Sequence, residues 1–410
     1  SLVGSEMCIR DRHFTTPKAG GAIRSYEFAK RLIQKGHQVT MVTGNSFGLF
    51  GLPATNKKDV YRGDIDGIDV IQIAIPYSNR DSVAKRAMIF LKFALKCIHH
   101  AMHEDYDIAF ATTTPLTAGI PAIWAKWFRG KDYVFEVRDL WPELPKAMGM
   151  KNPFLLWGMS MLEWLSYHNA KACVGLAPGI KEGITRRSQM NKEVAMIPNG
   201  CDLDLFSPGK RKELHIEGVA STDTVAVFAG AHGLANGLDA VLNAAAVLKV
   251  RGRNDIKFVF VGNGKLKPVL VERAKAENLD NCIFLDYMPK AELSKIICSA
   301  DVGMQILANI PAFYYGTSPN KFFDYITAGR PVINNYLGWL ADMIKENNCG
   351  VVVEPDNAEA FADGMVYLAD HPEKREEFGK NARRLAEREF DRNKLGAQFV
   401  EFLEKVNSSK

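Results

Sequence analysis

The stretch from Tyr315 to Ile333, YGTSPNKFFDYITAGRPVI, holds the residues best suited to chemistry on an anion. Ser318 is a good helix N-cap, Pro319 suits the first helical position, and Gly329 ends a helix that runs straight into a strand. Free amides at such a helix start carry partial positive charge, worth up to about 2 kcal/mol to a well-placed anion. Asn320 and Lys321 sit in the first turn, and Lys321 adds a full charge. Asp324 lies one turn further, where a carboxylate accepts hydrogen bonds from ribose hydroxyls. A nucleoside diphosphate matches this set; a capped surface helix without a ligand accounts for the same residues.

Three other segments bear on the same chemistry. In VGNGK the residues Gly262, Asn263, Gly264 and Lys265 come directly after an expected strand, and the glycines permit close approach to a nucleotide. Only two glycines of the dinucleotide fingerprint are present, so this is a weak NAD site, and a plain βα turn is the alternative. Gly20 and Gly21 precede the first expected helix and suit an anion at its positive end, or an ordinary tight turn. In FEVRDLWPE, Arg138, Asp139 and Glu143 lie at a strand end beside a Trp-Pro turn and are the candidate catalytic groups, against a structural Arg138 to Asp139 ion pair.

Metal ligation is not expected. The pairs Asp202/Asp204 and Asp64/Asp66 have the spacing of metal-binding carboxylates but lie in turn-rich segments, and His99, His100 and His103 fit a solvated helix face. The seven cysteines contain no Cys-x-x-Cys pair, which fits reduced thiols in a cytoplasmic protein.

These residues need elements to hold them, and the chain has room for two domains: 410 residues, 47% hydrophobic and 24% charged. The net charge of +5 does not indicate a nucleic-acid partner. Short apolar runs alternate with helix-period segments, the pattern of βα units on a parallel sheet. Strands are expected at Gln38–Thr43, Asp69–Ile73, Asp107–Ala111, Tyr133–Val137, Ala172–Leu176 and Val194–Ile197, with a helix over Ala22–Lys35. The turn-rich Pro198–Asp223 marks a boundary. The alternation resumes with strands at Thr224–Ala229, Lys257–Val261, Cys282–Leu285, Val302–Ile306, Pro331–Ile333 and Gly350–Val353, and a last helix spans Arg392–Val406.

The opening SLVGSEMCIRDR fits poorly with the rest of the chain and resembles translated sequencing-adapter sequence. Residues 1–12 are accordingly expected to be non-native, with the true first strand missing. Residues 13–205 then form an N-terminal Rossmann-like domain, 206–390 a C-terminal Rossmann-like domain, and 391–410 a helix and tail returning to the first. No run of eighteen apolar residues occurs and no signal peptide is expected. Residues 83–103 combine Lys85, Arg86, Lys92 and Lys96 with Met88, Ile89, Phe90, Leu91, Phe93 and Leu95, and, like Phe154–Leu165 with Trp157 and Trp164, suit an anionic lipid surface or a packed core.

With these motifs in place the chain resembles glycosyltransferase family 4, from about His13 to Lys405. The marks are Gly20-Gly21, IPNG at 197–200 with Asp202, FAG at 228–230 then GLD at 237–239, the Gly262-Asn263-Gly264 loop and AGRPVI at 328–333. The resemblance implies an α/β GT-B fold of two facing Rossmann-like doubly wound domains, retention of anomeric configuration, and no metal or other cofactor. It implies a UDP-sugar donor, held also by Tyr287, Met288 and Pro289 near the base. RDLWPE and SPNKFFD look like the branch that builds O-antigen, lipopolysaccharide and capsule. That branch transfers N-acetylated amino sugars of the fucosamine type to an undecaprenyl-diphosphate-linked saccharide, at the inner face of the cytoplasmic membrane.

Two departures stand out. The family's paired glutamates map to Gly316 and Asp324, and its Arg and Lys map to Ala231 and Asn236, leaving Lys321, helix amides, His232 or Arg138 to meet the diphosphate. A UDP-N-acetylhexosamine 2-epimerase and a noncatalytic UDP-sugar-binding protein of the same fold are the alternatives.

Overall fold

The computed structural model describes residues 4–17, 23–77, 81–188, 192–208 and 215–409. The chain divides into two compact units, Ser1–Pro198 with Gly316–Ser318 and Leu395–Lys410, and Asn199–Tyr315 with Pro319–Lys394. The expected boundary at 205/206 shifts toward Pro198 because Cys201 bridges to Asp391 and Arg383 donates to the Phe206 carbonyl at 2.8 Å, tying residues 199–206 into the second unit.

The first unit runs β1 (Glu6–Arg10), α1 (Arg24–Gln34), β2 (Gln38–Thr43), β3 (Val60–Ile65), β4 (Ile68–Ile73), α2 (Val83–His103), β5 (Ile108–Thr112), α3 (Gly119–Arg129), β6 (Asp132–Val137), α4 (Glu143–Ala147), α5 (Pro153–Asn169), β7 (Ala172–Gly175), α6 (Pro178–Ser188) and β8 (Val194–Met196). Among the described residues its sheet has the order β3-β4-β2-β1-β5-β6-β7-β8, parallel except for the β3/β4 hairpin. The expectation of a missing first strand is corrected: Glu6–Arg10 fills that place at the sheet centre, with Met7 opposite Val39 on one side and Ile108 on the other. Its Met7, Cys8 and Ile9 are buried, which is what a strand flanked on both sides requires.

The hairpin strand β3 escaped the sequence reading because its residues alternate half-buried and exposed at the sheet edge. Asp66 and Gly67 both have positive φ, 55° and 87°, the backbone of a tight two-residue hairpin. Asp64 accepts from the Gly67 amide at 3.1 Å and Asp66 from the Tyr26 hydroxyl at 2.9 Å, so this pair builds a turn.

The second unit runs β9 (Thr224–Ala229), α7 (Asp239–Val250), β10 (Ile256–Val261), α8 (Lys267–Ala276), β11 (Cys282–Leu285), α9 (Lys290–Ser299), β12 (Val302–Gln305), α10 (Asn320–Thr327), β13 (Val332–Asn334), α11 (Trp339–Glu346), β14 (Gly350–Val352), α12 (Ala358–Asp370) and α13 (Pro372–Glu389). Its strands pair in parallel in the order β11-β10-β9-β12-β13-β14. The order reverses direction at β9, so loops leaving β9 and β12 part there and open a crevice at the carboxyl ends of the strands, where open α/β sheets bind ligands. In the first unit the same break falls at β1 and β5. The closing helix α14 (Arg392–Ser408) packs Phe399 on the ring of Phe28 at 3.9 Å, burying an apolar face in the first unit.

Candidate functional site

In the second unit the loops after β9, β10 and β11 lock together through backbone. The Gly230 amide donates to Val261, the His232 amide to Asn263 and the Gly262 amide to Leu285, at 3.0 to 3.2 Å. A Cβ at Gly262 would lie 2.1 Å from the Gly230 oxygen, and one at Gly264 2.4 Å from that of His232. These glycines are therefore required by loop-on-loop contact. Lys267 staples the same corner, donating to the carbonyls of Gly262 at 2.9 Å and Leu285 at 2.8 Å and pairing with Asp286 at 2.7 Å. Lys265 and Asn263 are exposed at the rim. Tyr287 is 58% exposed at the end of β11, with Met288 and Pro289 leading into α9, so an aromatic face stands free beside the glycine loop.

Lys321 is in the first turn of α10, next to β9. Its ammonium donates to Asn236 Oδ1 at 2.7 Å and lies 4.7 Å from the centre of the Phe228 ring. Asn236 is itself held by the Ala231 carbonyl at 2.7 Å. The described residues give the ammonium no carboxylate partner, and burial pushes it down to about 7. A lone cation is thus desolvated at the crevice, where an anion would restore its charge.

Three expectations are corrected here. Pro319, not Ser318, occupies the N-cap position of α10, and no side chain caps it, which leaves the Asn320 and Lys321 amides without a side-chain oxygen from the cap. His232 cannot supply positive charge: its ring is fully buried, 6.0 to 6.3 Å from the rings of Phe228, Phe260 and Phe284, and burial, with nearby Lys267, lowers it to about 4. Asp324 is turned to Lys290 at 3.2 Å and is 7% exposed, so its carboxylate has an internal partner where ribose hydroxyls were expected; burial raises its pKa.

In the first unit a polar cluster gathers at the ends of β1, β5 and β6. Glu136 is fully buried and accepts from Arg24 Nε at 2.8 Å, Thr112 Oγ1 at 2.7 Å and Arg138 Nε at 3.3 Å. Burial alone would raise this carboxyl, but the two guanidiniums outweigh it and hold it below the usual glutamate range. Arg138 also reaches Asp11 at 3.3 Å, and Ser25 donates to Asp11 at 2.6 Å. Arg24 extends to the Ile197 and Pro198 carbonyls at 2.6 and 2.7 Å. Asp139 meets the Thr114 hydroxyl at 3.5 Å and is raised by burial.

Of the expected wall, Arg138 and Asp139 come to this cluster. Glu143 does not: it is exposed at the start of α4, and its charge acts on Glu163 of α5. Sequence reasoning missed Asp11, Arg24, Ser25, Thr112 and Glu136. The one available signal was Glu136, an acid between the apolar residues Phe135 and Val137 of a buried strand. Gly20 and Gly21 lie outside the described residues.

Asp202 pairs with Arg392 at 2.9 Å and accepts from the Leu205 amide, so the Asp202/Asp204 segment is a turn and its anchor. His100 meets Glu104 at 3.2 Å, while His103 stacks on His99. Among the described residues no three His, Cys, Asp or Glu side chains are placed to hold a metal ion.

The description "Glycosyl transferase 4-like domain" fits residues 19–200, and "Glycosyl transferases group 1" fits residues 210–385. The chain belongs to the glycosyltransferases of GT-B fold. The fold is shared with sucrose-phosphate synthase of Thermosynechococcus elongatus at a TM-score of 0.76 and 18% identity, covering 99% of this chain and 100% of that one. It is shared likewise with Anabaena HepE in complex with UDP and glucose at 0.70 and 15%, covering 98% and 99%. A curated relative in this family is alpha-D-kanosaminyltransferase of Streptomyces kanamyceticus, 24% identical over 58% of this chain and 62% of its own. The chain spans about half to three-fifths of the length of the curated relatives it matches.

Proposed function

We propose that the protein is a retaining glycosyltransferase that moves a sugar from a UDP-sugar to a lipid-linked saccharide. Lys321 is the observation that carries this: a desolvated ammonium without a carboxylate, presented by a helix start at the crevice of a Rossmann-like sheet. A diphosphate supplies the missing counter-charge, and the uncapped α10 amides add hydrogen bonds to it. The exposed Tyr287 ring offers a face for the base, beside the Gly262–Lys265 loop. HepE, of the same fold, is seen with UDP, which supports the choice of nucleotide.

On this reading the first unit holds the acceptor. Arg138, fixed by Glu136, and Asp139, whose carboxyl is raised by burial, are the groups of that unit offered to the acceptor hydroxyl. The donated sugar is an N-acetylated amino sugar and the acceptor an undecaprenyl-diphosphate saccharide of a surface polysaccharide, which brings the protein to the inner face of the cytoplasmic membrane.

Calorimetry of UDP with wild-type protein and Lys321→Ala tests the donor site; a variant with undiminished affinity and turnover overturns the phosphate role. Mass spectrometry of reactions pairing a panel of UDP-sugars with a short-chain polyprenyl-diphosphate disaccharide identifies the donor and acceptor. Conversion of free UDP-N-acetylhexosamine without acceptor would instead support the epimerase, which neither matching family description favours.

A further inference from the structure

Helix α5 is inside out. Glu163, Ser166 and Tyr167 are its buried residues, while Phe154 is 84% exposed and Trp157 66%, with Met161 and Trp164 also exposed. Helix α3, which packs beside α5, buries Ala122, Ile123 and Ala125 yet still exposes Trp124, Trp127 and Phe128. The Trp127 indole donates to Asn169 at the end of α5 at 2.7 Å, so the two helices present their aromatic residues as one tied surface. On the other side of α3 lies α2, with Met88, Leu91 and Leu95 exposed. Four of the six tryptophans of the chain stand on α3 and α5. Soluble proteins rarely leave an apolar surface of this extent in water.

The charge on these helices indicates what covers them. Between them α2, α3 and α5 carry Lys85, Arg86, Lys92, Lys96, Lys126 and Arg129; Asp81, Asp59 and Asp132 of adjoining segments pair with Lys85, Lys96 and Lys126, and the one acid on the helices themselves, Glu163, is buried, which leaves an excess of positive charge. A second copy of the chain would set these cations against their own like. An anionic bilayer meets both features, since indoles favour the headgroup layer and lysines and arginines its phosphates.

A notch of about 320 Å³ between α5 and α6 sharpens the match. It is walled by Trp157, Ser160, Met161, Trp164 and Arg187. Arg187 is anchored to the Ser160 carbonyl at 3.1 Å and has its Nε 3.3 Å from Glu163, yet its side chain remains 40% exposed. Burial, reinforced by Glu143, raises the Glu163 carboxyl to about 7, so it neutralises the guanidinium only in part near neutral pH.

We propose that the α2, α3 and α5 face lies on a bilayer of anionic phospholipid, with Phe154 and Trp157 inserted and Arg187 seating a headgroup phosphate in the notch. This deepens the reading of a lipid-linked acceptor and rests on it: it assigns the face turned to the membrane and the residues that hold it there.

The test is flotation of the full chain with phosphatidylglycerol vesicles and with neutral phosphatidylcholine vesicles. Wild type is expected to float with the anionic vesicles and to be released by salt. The double variant Phe154→Ser/Trp157→Ser is expected to lose about tenfold in the bound fraction. Arg187→Gln is expected to lose the preference for anionic over neutral vesicles. Wild type that stays unbound, or variants that bind as well as it does, overturn the proposal. So does a wild-type dimer in gel filtration that the double variant converts to monomer, which would assign the face to a second copy. UDP calorimetry on the same variants separates the two readings: undiminished nucleotide affinity with no vesicle binding in any form removes the docking face and leaves donor binding standing.

Discussion

Lys321 is held at 2.7 Å by the carboxamide of Asn236, a neutral partner. The amide orients the cation without neutralising it. The consequence is a proton-linked donor site, because a lone amine lowered to about 7 takes up a proton when an anion arrives. Above pH 7 UDP affinity is therefore expected to fall as pH rises, by up to about tenfold per unit. Isothermal calorimetry in two buffers of different ionisation enthalpy checks this: at pH 8 wild type should show proton uptake that Lys321→Met lacks.

The same residue sets a stability trend of definite sign. Between about 7 and its ordinary 10.5 the unfolded chain binds a proton that the native protein lacks, so this group makes native stability rise with pH across that window. Below 7 both states are protonated and the desolvation cost is fully present. Lys321→Met is then expected to be more stable than wild type at pH 6.5 by about 1 kcal/mol or more, measured by urea unfolding.

Glu163 runs the other way. Its carboxyl is raised from 4.5 to about 7 by burial, with Glu143 adding to the rise, so between those values the native state keeps a proton that the unfolded chain has lost. Stability from this group is complete below about 4.5 and is lost as pH rises toward 7. Glu163→Gln should be more stable than wild type at pH 8, by on the order of 2 kcal/mol, and nearly equal to it at pH 4.5. Thermal melts across that range decide the matter.

Gly262 has φ +143°, and an added Cβ would meet the Gly230 oxygen at 2.1 Å. Both loops must shift to accept any side chain. Gly262→Ala is expected to cost about 2–4 kcal/mol and to weaken UDP binding, seen as a lower melting temperature together with a raised Kd.

Arg12 lies just beyond β1 and is 1% exposed, packed 5.0 to 5.4 Å from the rings of Tyr77, Phe90 and Phe93, and its three guanidinium nitrogens have no hydrogen-bond partner among the described residues. Burial lowers it to about 10. An apolar residue fits such a place better. Arg12→Met should stabilise the protein by about 1–4 kcal/mol in denaturant titration, and a loss of stability would show that the aromatic contacts outweigh desolvation.

How much was legible from the residues depends on how local each signal is. The βα alternation, the helix ending at Gly329 and the glycine loop at 262–264 are written in periodicity and turn chemistry within a few positions, and the structure has each of them. Strand β1 is different: it falls in the opening segment expected to be non-native, and only pairing with β2 and β5 shows that Met7 and Ile9 belong inside. His232 and Asp324 look like ligand groups in a string of letters, but which way a side chain turns depends on partners far away in sequence, such as Phe284 and Lys290.

The sequence by itself determined two doubly wound domains and a helix that begins just after Pro319, because hydrophobic period and turn chemistry are properties of neighbouring residues. The tertiary structure alone decided which charges are paired. Glu136 gathers Arg24, over a hundred residues away, and Arg138, two residues away, while Lys321 meets, among the described residues, the amide of Asn236 and the ring of Phe228. Desolvation acts on whatever the folded chain leaves around a group, so the cation left without a carboxylate emerges only once the strands and loops are packed.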